Sequence, residues 1–179
     1  MPKALVLLAE GFEEIEAVTI VDVLRRAQVL VHVAALKGAP VRGSHGIEIV
    51  PDGSLAEIDA SGFDAVVLPG GMPGSKNLRD DARVLAVVRE FDAAGKLVAA
   101  ICAAPIALEA AGVLRGRRAT SYPGNELPSA AYSEERVVED GNLVTSRAPG
   151  SALEFALRLV ARLVSPEASG RLGASMLAG

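Results

Sequence analysis

Short, uninterrupted apolar runs punctuate the chain: "KALVLLA" from residue 3, "VHVAALK" from 31, "FDAVVLPGG" from 63 and "LVAAICAA" from 97. A continuous apolar run of this length predicts a strand buried on both faces. Three of the runs end in small or turn residues. Between the runs the period changes. From Ile15 to Ala27, and again at Val84, Leu85, Val88 and Phe91 ahead of Gly95, apolar residues recur at helical spacing. Alternating strand and helix predicts an α/β sandwich: a mostly parallel sheet, right-handed crossovers, and helices covering both faces.

Two segments break the alternation. "VRGSHGIEIVPDG" alternates weakly and carries glycines, which predicts short antiparallel strands appended to the sheet; "RVVEDGNLVTS" predicts a hairpin turning at Asp140-Gly141. A last helix places Leu153, Leu157, Val160 and Val164 on one face, followed by a tail rich in Gly, Ser and Ala. No repeat or linker interrupts the 179 residues, half of them apolar, so one domain over 1–179 with a substantial core is expected.

Charge and composition narrow the function. The net charge is -4, basic residues are scattered and aromatics make up 3%, so specific nucleic-acid binding has no electrostatic footprint and a small-molecule substrate is expected. No apolar run is long enough to cross a bilayer, and no membrane partner is expected. The opening "MPKALVLLAEGFEE" has too short an apolar stretch for a signal peptide and runs into carboxylates without a cleavage site. One cysteine makes no intrachain disulfide, which suits a reducing cytoplasm. With no tryptophan to stack a flavin, and one cysteine and two histidines at scattered positions, no cofactor and no metal are expected.

The lone cysteine, Cys102, follows the strand expected over 97–101 and precedes Pro105 and "IALEAAG", a helix with proline in its first turn and Gly112 at its end. Two readings stand on these residues. Free cysteine is a small hydrophobe that commonly fills core. A tight strand-to-helix turn, in contrast, projects its central side chain into the open and needs small neighbours, which Ala100 and Ala104 supply. The helix that follows also aims free N–H groups at the sulfur, an arrangement that lowers a thiol pKa to roughly 3.5–7.5.

In open parallel sheets ligands bind beyond the carboxyl ends of the strands, where "EGFEEIE", "PGGMPG" and Cys102 fall together. Glu10, Glu13 and Glu14 read as a solvated loop and helix start, where negative charge is favourable. Glu16 lies one turn further in, beside an apolar face. Partial burial there raises a carboxyl pKa toward the range of general acid/base work. "PGGMPG" lacks the spacing of a nucleotide-binding loop and reads either as ordinary turn residues or as a way to bring the Gly71 N–H beside that of Ala103, a two-donor cradle for an oxyanion. Glu13 and Gly70 are candidates for the pocket wall. His32 falls within a strand and is expected to be a satisfied structural residue; His45, in the glycine-rich segment, is expected at a pocket edge or against a partner subunit.

"EGFEEIEAV", "VDVLRRA", "DAVVLPGG", "NLRDDARV", "AAICAAP", "YSEERVVEDGNLVTSRAPG" and "EFALRLV", in this order, resemble the ThiJ/PfpI superfamily over almost the full chain, and within it the parkinsonism-associated deglycase branch. The resemblance implies a flavodoxin-like sandwich that forms homodimers. It implies that Cys102 is an easily oxidised nucleophile, that Glu16 hydrogen-bonds the sulfur, and that Gly71 and Ala103 are backbone donors. Activities implied are glutathione-independent conversion of methylglyoxal to lactate and deglycation of protein or nucleotide amines, with an oxidative-stress sensor or redox-linked chaperone as the alternative. Where many relatives carry a histidine after the strand ending in "RRAT", this chain has Tyr122. A Cys–His dyad and protease activity are therefore not expected. His45 stands where many relatives carry arginine.

Overall fold

The computed structural model describes residues 1–178. Its strands are β1 (Lys3–Leu8), β2 (Leu30–Ala35), β3 (Val41–Arg42), β4 (Glu48–Ile49), β5 (Gly53–Ser54), β6 (Ala65–Leu68), β7 (Leu97–Ile101), β8 (Arg118–Ala119), β9 (Ala131–Tyr132), β10 (Val137–Asp140) and β11 (Leu143–Ser146). The helices are α1 (Glu14–Arg26), α2 (Gly74–Asp80), α3 (Ala82–Ala93), α4 (Pro105–Ala111), α5 (Ala152–Leu163) and α6 (Pro166–Ser175).

Seven strands form one sheet in the order β10-β11-β7-β6-β1-β2-β5. All neighbours run parallel except β10, which returns antiparallel on β11 through the turn at Asp140-Gly141. From β1 the chain moves outward to β2 and β5, then crosses back to β6 on the other side of β1. The order reverses between β1 and β6, so the loops after these two strands diverge and leave a crevice at their carboxyl ends.

Side-chain alternation divides the core into two layers. Ala4, Val6 and Leu8 of β1 pack with Ala17, Ile20 and Leu24 of α1 and with Phe155, Ala156 and Leu159 of α5. Leu5 and Leu7 face the other way, toward Leu78 of α2, Val84, Val88 and Phe91 of α3 and Leu108 of α4. Both faces of the central strands are thus buried, which is why those strands read as unbroken apolar runs rather than alternating ones.

Two expectations need correction. The glycine-rich segment does form antiparallel strands, but β3 and β4 pair only with each other, in a separate ribbon; its continuation, β5, joins the main sheet parallel to β2. On α5 the buried residues are Ala152, Phe155, Ala156, Leu159 and Val160, while Leu153 and Leu157 lie at the side and Val164 is exposed. The expected stripe is offset because α6 folds back over that side, Ser169 Oγ donating to the Leu157 carbonyl at 2.7 Å. The Gly/Ser/Ala-rich tail is therefore helical where α6 lies. Ser165 caps it by accepting from Ala168 N, and Pro166 takes its first position, where a missing N–H costs nothing.

Candidate active site

Cys102 sits between β7 and α4 with φ 63°, a left-handed backbone that a residue with a Cβ adopts at a cost. Neighbouring loops hold it there. Cys102 N donates to the Ser146 carbonyl at 2.9 Å, and the Cys102 carbonyl accepts from Tyr122 N at 2.8 Å. The first of these bonds follows from register, because β11 runs parallel to β7 with Ser146 opposite Ile101. The second makes Tyr122 part of the cysteine turn through its backbone, while its side chain is exposed.

Glu16 comes to the same place from the first turn of α1. It is fully buried, and its Oε2 accepts from Gly70 N at 2.7 Å. Its Oε1 is buried with no hydrogen-bond partner among the described residues. Gly70 lies between the two functional groups. A Cβ there would stand 2.6 Å from Cys102 Cβ, 2.6 Å from Glu16 Oε2 and 2.8 Å from the Ile101 carbonyl oxygen, so only glycine lets thiol and carboxyl meet. Gly71 follows with φ +92°, and a Cβ on it would strike the backbone of Phe12 and Glu13.

The backbone N–H groups of Gly71 and Ala103, expected as an oxyanion cradle, act on the Cys102 thiol, where both favour the thiolate. The ionisation of the thiol differs from the expectation of a lowered pKa. Burial first, then the charge of Glu16 and its hydrogen bond, push the Cys102 thiol up to about 12 against these two amides. The side chain is not in the open either, since Cys102 is only 7% exposed. Burial likewise pushes Glu16 up to about 7, opposed by the Gly70 N–H and the thiol and reinforced by the charge of Glu13. Both values rise for one reason: a low-dielectric pocket accepts one negative charge and resists a second. Both shifts act to keep a proton shared by the pair.

The other acidic residues are not solvated, contrary to expectation, except Glu10, which is exposed. Glu13 is 8% and Glu14 4% exposed. Glu13 caps α1 by accepting from Ile15 N. Glu14 accepts from His45 N at 2.7 Å and from Ile47 N at 3.3 Å, anchoring the β3–β4 ribbon to α1. Burial alone would raise its pKa, yet the hydrogen bonds from His45 and the backbone hold it down at about 2. His45 Nδ1 lies 3.0 Å from Glu14 Oε2, and this contact with the two glutamate charges raises the pKa of the exposed imidazole. His45 thus belongs to the Glu13–Glu14 corner, and neither histidine is among the groups acting on the thiol. His32 is not satisfied: its ring meets Phe63 edge-on at 6.1 Å, and its buried Nε2 has no hydrogen-bond partner among the described residues.

Sequence reasoning did not single out Ser146, whose carbonyl holds the Cys102 N–H; only the hairpin's expected neighbour in the sheet could have pointed to it. A paired thiol and acid, with backbone N–H groups that favour the thiolate, can add to an electrophilic carbon and move a proton within the adduct.

The chain is similar to known proteins over nearly its whole length. The chain is 43% identical over 182 residues to the Parkinson disease protein 7 homolog of Danio rerio, covering 98% of this chain and 96% of that one. It is 38% identical over 152 residues to a deglycase of Pyrococcus abyssi, covering 83% and 91%. The crystal structure of Drosophila melanogaster DJ-1beta superimposes with a TM-score of 0.94 at 43% identity, covering 98% of this chain and 97% of that one. The DJ-1/PfpI family pattern matches residues 2–162, and the chain belongs to the DJ-1/PfpI family.

Proposed function

We propose that this protein is a cysteine-dependent enzyme acting on reactive aldehydes, converting methylglyoxal to lactate without glutathione, with deglycation of amine adducts as the related activity. The observation that carries the reading is the buried Cys102–Glu16 pair, with one shared proton and the Gly71 and Ala103 N–H groups acting on its thiol. The Pyrococcus abyssi relative, a deglycase by name, supports chemistry of this kind. The slight exposure of Cys102 favours a small free aldehyde over an adduct on a folded protein.

In this mechanism the Cys102 sulfur adds to the aldehyde carbon of methylglyoxal, and the carbonyl oxygen takes the shared proton, giving a hemithioacetal. Glu16, now a carboxylate, removes the hydrogen from that carbon. The electron pair passes to the neighbouring ketone through an enediolate, Glu16 returns the proton to the second carbon, and the hydroxyl proton on the first oxygen passes to the second. The first carbon is oxidised to a thioester and the second reduced to an alcohol, so no external oxidant or reductant is needed. Water then cleaves the lactoyl thioester, releasing lactate and the thiol. Purified protein given methylglyoxal without added thiol or cofactor should form lactate in proportion to protein; no lactate above buffer would count against the assignment.

A second reading is a sensor of oxidants or redox-linked chaperone, favoured by the buried, unpartnered Oε1 of Glu16, whose carboxyl acts on the Cys102 thiol. A protonated Glu16 can donate to a sulfinate, and no second cysteine is present to divert a sulfenate into an intrachain disulfide. Limited peroxide should then add two oxygens to Cys102 before methionines oxidise, and Glu16→Gln should stop earlier or oxidise less selectively. Peptide mass spectrometry across a peroxide titration separates this from a thiol that stays reduced.

The partner we propose is a second copy of the chain. Ile15 and Val18 on the outer face of α1 are 58% and 51% exposed, and Ile47 and Val50 beside them are 58% and 77% exposed. Val18 and Val50 line one groove. An apolar patch spanning a helix and a ribbon is characteristic of a self-association surface. Val18→Asp, with its side chain already in solvent in a single chain, should yield folded monomers by light scattering where the parent gives dimers; a parent monomer at micromolar concentration would refute the dimer.

A further inference from the structure

The corner made by the start of α1 and the β3–β4 ribbon collects metal-ligating atoms that the thiol chemistry does not use. Glu13, Glu14 and His45 each offer one, all within 4.8 Å of one another. His45 Nδ1 stands 3.0 Å from Glu14 Oε2 and 3.5 Å from Glu13 Oε2. Ser44 Oγ lies 3.1 Å from His45 Nδ1, 3.4 Å from Glu14 Oε2 and 3.5 Å from Glu13 Oε2. Zinc bonds to nitrogen and oxygen of roughly 2.0–2.2 Å place the corners of a tetrahedron roughly 3.3–3.6 Å apart, so these separations come close to those of a bound set.

The carboxylates are also arranged in advance. In each, Oε1 is held by backbone N–H groups, Ile15 N for Glu13 and His45 N and Ile47 N for Glu14, which turns Oε2 toward the shared space. Oriented ligands of this kind lose little freedom on binding. Gly43 gives Glu14 its room, because a Cβ there would lie 2.4 Å from the carboxyl carbon. Glu13 is the less compensated of the two: it is buried, yet its side-chain contacts are only at 3.4 and 3.5 Å. A divalent cation in the shared space would balance both carboxylates and add short bonds to Glu13.

We propose that Glu13, Glu14 and His45 form a site for a borderline divalent transition metal of the zinc class, with Ser44 or a water in the fourth position. The mixed oxygen and imidazole set suits zinc, cobalt or manganese better than calcium, which takes six or more oxygens. Sequence spacing concealed the site because His45 lies 31 residues from Glu14 and meets it only through the ribbon.

The test is a titration of the full-length, metal-stripped protein with zinc against a chromophoric chelator, repeated with cobalt as a spectroscopic probe. One zinc per chain is expected. His45→Ala, at an exposed position, should weaken binding at least about tenfold, and Glu13→Gln should weaken it as well. Cys102→Ser should still bind one zinc, and the cobalt form should lack thiolate-to-metal charge transfer. Absence of binding, binding unchanged by His45→Ala, or binding lost with Cys102→Ser would each overturn the proposal, the last by placing the metal on the thiol.

Discussion

Replacing Cys102 with serine is expected to reduce lactate formation from methylglyoxal to the level of buffer, a loss on the order of 10⁴-fold or more, while the protein stays folded. Removing the nucleophile from a set of groups that act together leaves only binding and electrostatic contributions. A serine hydroxyl does not replace the sulfur, because its proton is too tightly held for a carboxylate such as Glu16, and no imidazole acts at this position. The fold should survive. Serine is smaller than cysteine, takes up the same φ of 63° at similar cost, and finds donors in Gly71 and Ala103 and an acceptor in Glu16. Lactate assay and thermal unfolding on the same preparations check both halves; a folded serine variant that turns over methylglyoxal at the parental rate would remove Cys102 from the mechanism.

Glu16→Gln separates activity from stability. Glutamine still accepts from Gly70 N but neither takes nor returns a proton, so turnover should fall by about 10²- to 10⁴-fold, the usual contribution of a positioned acid–base group. Stability should move the other way at high pH. The folded-state pKa of Glu16 is raised from the ordinary 4.5 to about 7, so the native state binds its proton more tightly than the unfolded chain does. The stability this contributes is fully present below about pH 4.5 and is lost as pH rises through about 7. At 1.36 kcal/mol for each unit of pKa, the loss is about 3 kcal/mol. Denaturation of the parent should therefore show stability falling between pH 4.5 and 7, and the glutamine variant should lack this fall and be the more stable protein at pH 8. A parent and variant with parallel pH profiles would mean that Glu16 is not the buried titrating group. Such a carboxyl persists at a cost to the fold, which is what a functional group in a low-dielectric site requires.

The expected α/β architecture, a mostly parallel sheet covered on both faces, agrees with the observed fold and with the DJ-1beta crystal structure. Wherever burial is two-sided, sequence and structure agree closely: β7 spans Leu97–Ile101 and α4 begins at Pro105 and ends at Gly112 with φ 81°, because these boundaries are set by local chemistry. The separate β3–β4 ribbon was less legible. Its strands are two residues each, and a hydrophobic pattern that short does not say which sheet it joins. The helical tail was hidden by its composition, although Ser165 and Pro166 together are a helix-start signal that outweighs the glycines. At the site, Glu16 stood out by its position one turn into an amphipathic helix. Glu14 did not, because its burial depends on a ribbon more than thirty residues away. The direction of the thiol pKa differs from the expectation for a similar reason: the local sequence shows the donors after β7, whereas the burial that raises it, and Glu16, which adds to it from α1, depend on segments remote in sequence.

The central claim is that Cys102 forms a covalent bond with an aldehyde and that Glu16 moves the proton that releases it as a hydroxy acid. Isotopically labelled methylglyoxal, mixed with the full-length protein and quenched in acid at times shorter than one turnover, tests this directly by peptide mass spectrometry. The account predicts one labelled adduct per chain on the peptide containing Cys102, chased by unlabelled substrate into lactate at the steady-state rate, and persisting unreleased in Glu16→Gln. Lactate formed at that rate with no label passing through Cys102, or label confined to lysine and arginine with no lactate formed, would contradict it.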